Sequence, residues 1–372
     1  MKAIGIILAG GNSHRMKELT RIRAAASMPV GGAFRSIDFA LSSMTNSHVQ
    51  TVAVLTQYNS RSLNEHLSSS KWWNFGRKQG GLFLFTPAVT AENSDWYRGT
   101  ADAMYQNIDF LKKRHEPYVI ISSGDCVYKL NFNKVLDYHV EKRADITVVC
   151  KDLQANEDVS RFGVVRVGED SRITDFEEKP LAASSNTIST GIYIVRRRQL
   201  IEMLEQSAEE GRYDFVKDIL IRYKDIKNIV AYKTNSYWNN ISDVDAYFKT
   251  NMDFLNPEVR EFFFREEPKV YSKVDDLPPA KYNPGSLVRN SLIASGCIIN
   301  GTVEDSILFK QVFVGKNCQI KNCVILDDVY IGDNTHIENC IIESRGTINP
   351  NTSYIGSDEI KIISEKHDRY YI

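Results

Sequence analysis

The chain has 372 residues, 42% hydrophobic and 25% charged, enough for two domains with substantial apolar cores. With 46 Lys and Arg against 47 Asp and Glu, the net charge of −1 excludes a global pull toward nucleic acid or an anionic membrane surface. No apolar run reaches the length of a membrane span, and six cysteines without a C-x-x-C pair predict a reducing, cytoplasmic setting.

The apolar run from Ile4 to Leu8 ends at Gly10-Gly11 without a small-residue cleavage pattern, so it predicts a buried strand and not a secretory leader. Short β-branched runs at 51–56, 118–122, 146–150 and 192–195 alternate with amphipathic stretches at 36–46, 100–114 and 134–143. This rhythm predicts an α/β domain of βαβ units around a mostly parallel sheet. Ligands then belong where loops leave the carboxyl ends of strands, as Gly10-Gly11 and Gly124-Asp125 do.

Pro257, Pro268, Pro278, Pro279 and Pro284 predict a linker over 256–285, between a domain at 1–255 and another at 286–372. In that last stretch Val314, Ile320 and Leu326 are evenly spaced, as are Ile325, Ile331 and Ile337, with Gly315 and Gly332 at corners. An apolar residue at every sixth position is the pattern of a hexapeptide β-helix, whose coils stack because none buries its own apolar face. An irregular β-sandwich is the competing reading.

A strand running into Gly10-Gly11 lets backbone N–H groups approach phosphate oxygens, although such a turn is as often purely structural. The motifs downstream of it are more specific. Gly99-Thr100-Ala101-Asp102-Ala103, Ser123-Gly124-Asp125, Phe176-Glu177-Glu178-Lys179-Pro180 and Ser189-Thr190-Gly191-Ile192-Tyr193 occur in this order. In these motifs the chain resembles the glucose-1-phosphate adenylyltransferase (ADP-glucose pyrophosphorylase) family along its whole length. The resemblance implies a Rossmann-like nucleotidyltransferase domain followed by a left-handed parallel β-helix. It also implies the reaction of ATP with glucose 1-phosphate to give ADP-glucose and pyrophosphate, a step of bacterial glycogen synthesis.

Carried over position by position, the resemblance assigns glucose 1-phosphate to Glu178, Lys179, Ser189, Trp96, Tyr97 and Asp214. It assigns the nucleotide to Gly10, Gly11, Arg15 and Arg23, and catalytic magnesium to a pair of aspartates, one of which is Asp125. The departures cluster on the nucleotide side. Ser13 replaces a glycine, His14 a small hydroxyl residue, Ala25 the lysine that faces the triphosphate, and Asn240 the second metal aspartate. A neutral amide is a weaker magnesium ligand than a carboxylate, so Asp125 is expected to hold the metal weakly.

One preorganised charge contact to a transferring phosphoryl group is worth about 3–4 kcal/mol, or about 100–1000-fold in rate. The chain therefore resembles the GlgD-type regulatory subunit of the family, weak or inactive alone and paired with a catalytic subunit in a heterotetramer. Sugar phosphate, and ATP if the eroded pocket still admits it, are its expected small-molecule ligands. One alternative is an active nucleotidyltransferase in which Lys17, Arg23 or Asp243 replaces the lost groups. The other is a non-enzymatic glucose 1-phosphate sensor. Ile22 stands where enteric relatives carry an effector-binding lysine, and Arg196-Arg197-Arg198 reads as a solvated turn, so no effector is assigned.

Overall fold

The computed structural model describes residues 2–11, 14–76, 80–89, 95–154, 157–357 and 359–364; Ser13 lies outside them. Besides a short antiparallel pair, Pro29–Val30 with Phe34–Arg35, the first domain's strands follow in chain order. They are β1 (Ala3–Leu8), β2 (Thr51–Leu55), β3 (Gly81–Phe85), β4 (Tyr118–Ser123), β5 (Cys126–Tyr128) and β6 (Ile146–Asp152). Then come β7 (Gly163–Val167), β8 (Ile173–Glu178), β9 (Thr187–Arg196), β10 (Ile229–Lys233) and β11 (Trp238–Asn240).

The main sheet runs β8-β7-β9-β4-β1-β2-β3, with β6 joined to β9 and β10 to β6. Around β1 it is parallel, as expected. The other half is mixed, because β9 runs antiparallel to β4, β6 and β7. Between β7, β8 and β9 the chain makes one 3-10 turn, Glu169–Ser171, which is far too short for the crossover of a dozen or more residues that a parallel connection needs. Ile4, Ile6 and Ile7 on β1 are all buried, so both faces of the sheet are covered.

The helices that place the site are α1 (Ser36–Asn46), α2 (Thr100–Tyr105), α3 (Ile108–Lys112), α4 (Phe132–Glu141), α5 (Arg197–Glu209) and α6 (Val244–Asp253). The single helix expected at 100–114 is broken between α2 and α3. There the Asn107 side chain donates to the Ala103 carbonyl and the Tyr97 hydroxyl, both at 2.9 Å, and its backbone leaves the helical region.

The second domain is a solenoid of three all-parallel sheets of five strands each, with every coil giving one strand to each sheet. It begins at Lys281–Tyr282, inside the Pro-rich stretch. Ile325, Ile331 and Ile337 point inward from the three successive sheets, as the spacing predicts. Leu326 does not. Ile325 takes the inward place, and Leu326 packs against the first domain. The repeat thus contracts by one residue at this sheet, and Val314 stacks on Ile331 and Ile348 above it. Asparagines, which tolerate positive φ, fill many of the left-handed corners; Asn317, Asn334 and Asn351 form a side-chain ladder at 3.1 and 2.9 Å.

The two domains share one apolar core. Met28 and Phe39 of the first, Tyr247 and Phe248 of α6, and Phe309 and Leu326 of the solenoid all pack within it. Each such buried side chain contributes roughly 1.5–3 kcal/mol, so the solenoid is a fixed wall for the first domain. The connecting strap crosses α1, where Asn46 donates to the Lys269 carbonyl (2.9 Å) and Trp73 to the Tyr271 carbonyl (3.1 Å).

Candidate active site

A cavity of about 380 Å³ opens at the carboxyl ends of β1, β2 and β4, lined by Gly10, Gly11, Ala25, Gln57, Tyr97 and Asp125 among others. Gly99 allows the Tyr97–Arg98 loop to approach so closely. A Cβ there would stand 2.4 Å from the Tyr213 carbonyl, the same oxygen that accepts from Ala101 and Asp102 at the start of α2. Asp102, the acidic residue of G-T-A-D-A, is buried and structural. It accepts from the Arg98 backbone (2.8 Å) and guanidinium (3.2 Å) and from Gln106 (3.0 Å).

Arg98 is the cation among the described residues lining this cavity, and it is already committed. Besides Asp102, its guanidinium meets the Tyr213 hydroxyl at 2.8 Å and stacks 3.8 Å from that ring's centre. Ala25 begins a tight turn, Ala25–Ser27, in the cavity wall; its methyl group offers phosphate neither charge nor hydrogen bond.

The acidic end is held by the β5–β11 ribbon. Asn240 pairs with Cys126, and the Ile241 amide donates to the Asp125 carbonyl at 3.0 Å, which brings position 240 beside Asp125. Asn240 is itself engaged. Its carbonyl oxygen accepts from the Ser242 amide (2.9 Å) and its amide nitrogen donates to the Cys126 sulfur (3.4 Å). Asp125 Oδ1 accepts from the Ser123 hydroxyl and faces the Cys126 thiol at 3.7 Å. Burial, and then the Asp125 charge, push that thiol's pKa well above its ordinary value, so it stays protonated.

Magnesium is usually held by one or two carboxylates together with substrate phosphates and waters; among the described residues lining the cavity Asp125 is the one carboxylate, a donor set that would hold the ion weakly. Among the described residues no three His, Cys, Asp or Glu side chains converge as a metal site. Asp243 supplies no second carboxylate. One of its oxygens caps α6 by accepting from the Ala246 amide (2.8 Å), and the other is paired with Arg161.

The residues assigned to sugar phosphate form a neighbouring group. Lys179 Nζ lies 3.5 Å from Glu178 Oε1 and is 60% exposed, free to meet an incoming anion. Burial raises the Glu178 pKa, Lys179 opposes this and Asp214 adds to it, so the three sense one another. Ser189 donates to the Tyr193 hydroxyl at 3.2 Å. The Asp214 carboxylate accepts from the Val216 (2.9 Å) and Lys217 (2.8 Å) amides. A bulge in β9 joins this group to the cavity. Gly191 takes a φ of +74° there, and a Cβ on it would lie 3.5 Å from that of Ser123.

Tyr97 is in the cavity, its hydroxyl accepting from Asn107 and its pKa raised by burial. Trp96 is 62% exposed and stacks on Tyr58 at the rim, ring centres 6.1 Å apart. Two residues assigned to the nucleotide lie away from this cavity's lining. Arg15 is exposed on the turn His14–Thr20, outside the cavity lining, with Asp158 near enough to feel its charge. Arg23 is buried against Glu343 of the solenoid, so it borders a cleft between the domains instead. Gln57 was missed. Its side-chain amide brackets the Tyr97 main chain, accepting from the nitrogen (2.6 Å) and donating to the oxygen (3.3 Å). Its place directly after β2, at a strand's carboxyl end, was the available signal.

Residues 4–256 match the Nucleotidyl transferase family, and residues 278–367 match the GlmU-like C-terminal hexapeptide family, the left-handed kind of β-helix. A glucose-1-phosphate adenylyltransferase of Clostridium beijerinckii is 40% identical over 369 residues, which covers 98% of this chain and 95% of that protein. Those of Clostridium novyi and Pseudothermotoga lettingae are 38% and 37% identical over 84% and 86% of this chain, and 83% and 76% of their own lengths. With the nucleotidyltransferase fold, the hexapeptide solenoid and these relatives in agreement, the chain belongs to the glucose-1-phosphate adenylyltransferase family.

Proposed function

We propose that this chain is a regulatory subunit of glucose-1-phosphate adenylyltransferase, weak or inactive alone, that assembles with a catalytic homologue in cytoplasmic bacterial glycogen synthesis. In the family reaction a glucose 1-phosphate oxygen attacks the α-phosphorus of ATP and pyrophosphate leaves. Two anions must approach, so the site needs cations where charge accumulates. The observation that carries the reading is the wall at Ala25 facing Asp125, beside an Asn240 whose polar atoms are both spent within the protein. Charge recruitment fails on the nucleotide side, while Glu178, Lys179 and Asp214 remain grouped on the sugar side. A fold kept intact around a weakened centre suits a subunit that shifts its partner's active population.

The test is ADP-glucose synthesis by the purified chain, by a catalytic relative, and by the two co-purified. The expected result is little synthesis by the chain alone and altered kinetics of the relative in the mixed assembly. Synthesis by the chain alone at an ordinary enzymatic rate would overturn the reading, as would a relative that neither binds it nor changes.

A further inference from the structure

We propose that Glu343, on the solenoid, is a positioning residue for the wall of the active-site cavity and acts through Arg23. Arg23 Nη2 donates to Glu343 Oε1 at 2.6 Å, with side chains only 10% and 4% exposed. The same carboxylate oxygen accepts from the Ser344 amide at 2.7 Å, so the solenoid's own backbone aims it.

Arg23 stands two residues before Ala25, and Ala25 and Ala26 line the cavity. The turn between is closed by the Ser27 amide on the Ala24 carbonyl (2.9 Å) and the Met28 amide on the Ala25 carbonyl (3.0 Å). Beyond it, the Pro29 carbonyl accepts from the Tyr247 hydroxyl (2.7 Å) and the Gly31 amide donates to Asn251 (3.0 Å), both on α6. The wall is therefore suspended between Glu343 at one end and α6 at the other. Helix α6 is capped by Asp243, just past Asn240, and packs on the solenoid through Tyr247 and Phe248. Both sides of the cavity thus take their positions from the solenoid.

Removing one partner of a buried pair leaves the other charge uncompensated, and the cheapest relief is for Arg23 to swing toward water. Because Arg23 is covalently next to the turn, the wall moves with it. A second tie offers a control: Lys310 of the solenoid meets Asp275 of the connecting strap at 2.7 Å, beside the same cleft but away from the wall.

The test is hydrogen–deuterium exchange on the full chain with Glu343→Ala, Glu343→Gln and Asp275→Ala. In Glu343→Ala the amides of residues 24–28 should exchange on the order of 10-fold faster or more, while those of β1 stay protected. Glu343→Gln keeps the acceptor without the charge and should fall between it and the parent; Asp275→Ala should match the parent in this segment. Should Glu343→Ala fail to fold, Glu343→Gln against Asp275→Ala decides the same question. Unchanged protection at 24–28, equal opening of β1, or equal loosening by Asp275→Ala would each overturn the proposal. A parallel titration with ADP-glucose rests on the proposed function and should lose affinity in the same order. If the parent takes up no ADP-glucose, that reading of the cavity fails, and the exchange result still decides the role of Glu343.

Discussion

Asn240 and Cys126 face each other across the β5–β11 ribbon, amide nitrogen 3.4 Å from sulfur, one residue along from Asp125. Where two carboxylates would share a dication, the second position donates a hydrogen bond to a protonated thiol. Asn240→Asp keeps the acceptor for the Ser242 amide and adds charge beside Asp125; Ala25→Lys adds a cation in the wall. The double substitution should raise stand-alone ADP-glucose synthesis with magnesium by on the order of 100-fold, each single change giving less. Asp125→Asn in that background should erase the gain. No gain from the pair would mean that the charge deficit is not what limits the chain.

On the sugar side, the Lys179 ammonium is 60% exposed and only 3.5 Å from Glu178, a position from which it can leave its partner for a phosphate. A charge-assisted contact of this kind is worth about 1.5–3 kcal/mol. Lys179→Ala should therefore weaken glucose 1-phosphate binding about 10- to 100-fold in calorimetry, with unfolding temperature unchanged. Equal affinity in parent and variant would remove Lys179 from the site and the sugar-phosphate sensor reading with it.

The parts of this fold legible in the sequence are those set by local patterning. Strand β1 and its glycines follow from one apolar run and the turn that ends it, and Ile325, Ile331 and Ile337 announce the solenoid. Leu326 was misplaced because an interface residue and a core residue are chemically alike, and only the contact with the first domain tells them apart. The pairing of Arg23 was hidden for a related reason. The resemblance places Arg23 in the motif assigned to the nucleotide, but its partner Glu343 is 320 positions away and only the tertiary fold brings it near. The commitments of Asn240 and Asp243 were equally hidden, since both depend on turn geometry after β11 and not on residue type.

Asp243 gives a direct check on that last point. One oxygen caps α6 and the other meets Arg161, with the carboxylate side chain 15% exposed. Losing such a cap costs about 0.5–2 kcal/mol and the partly buried ionic hydrogen bond adds to this, so Asp243→Ala should destabilise the chain by about 1–3 kcal/mol in urea titrations. Magnesium should shift neither parent nor variant. A metal-dependent rise in parent stability that Asp243→Ala abolishes would instead make Asp243 a ligand.

His139 sets an acid limit that has nothing to do with the site. It lies on α4, 1% exposed, with Nδ1 2.8 Å from the Thr147 hydroxyl and its ring edge-on to Tyr118. Burial, and then the nearby Arg196 charge, lower its pKa from 6.5 to about 4, against a smaller opposing pull from Asp145. The folded chain thus keeps this imidazole neutral where the unfolded chain already binds a proton. Protons favour the unfolded state throughout that window, so stability is complete above pH 6.5 and falls as pH drops toward 4. The loss from this residue should reach about 2 kcal/mol by about pH 5 and about 3 kcal/mol near pH 4. His139→Phe keeps a ring against Tyr118 but cannot titrate. It should start less stable at neutral pH, since Thr147 loses its partner, and then lose less than the parent on acidification. Urea unfolding at pH 7 and pH 5 for both proteins measures the difference, and parallel losses would show that His139 takes up its proton in the folded state as readily as in the unfolded one.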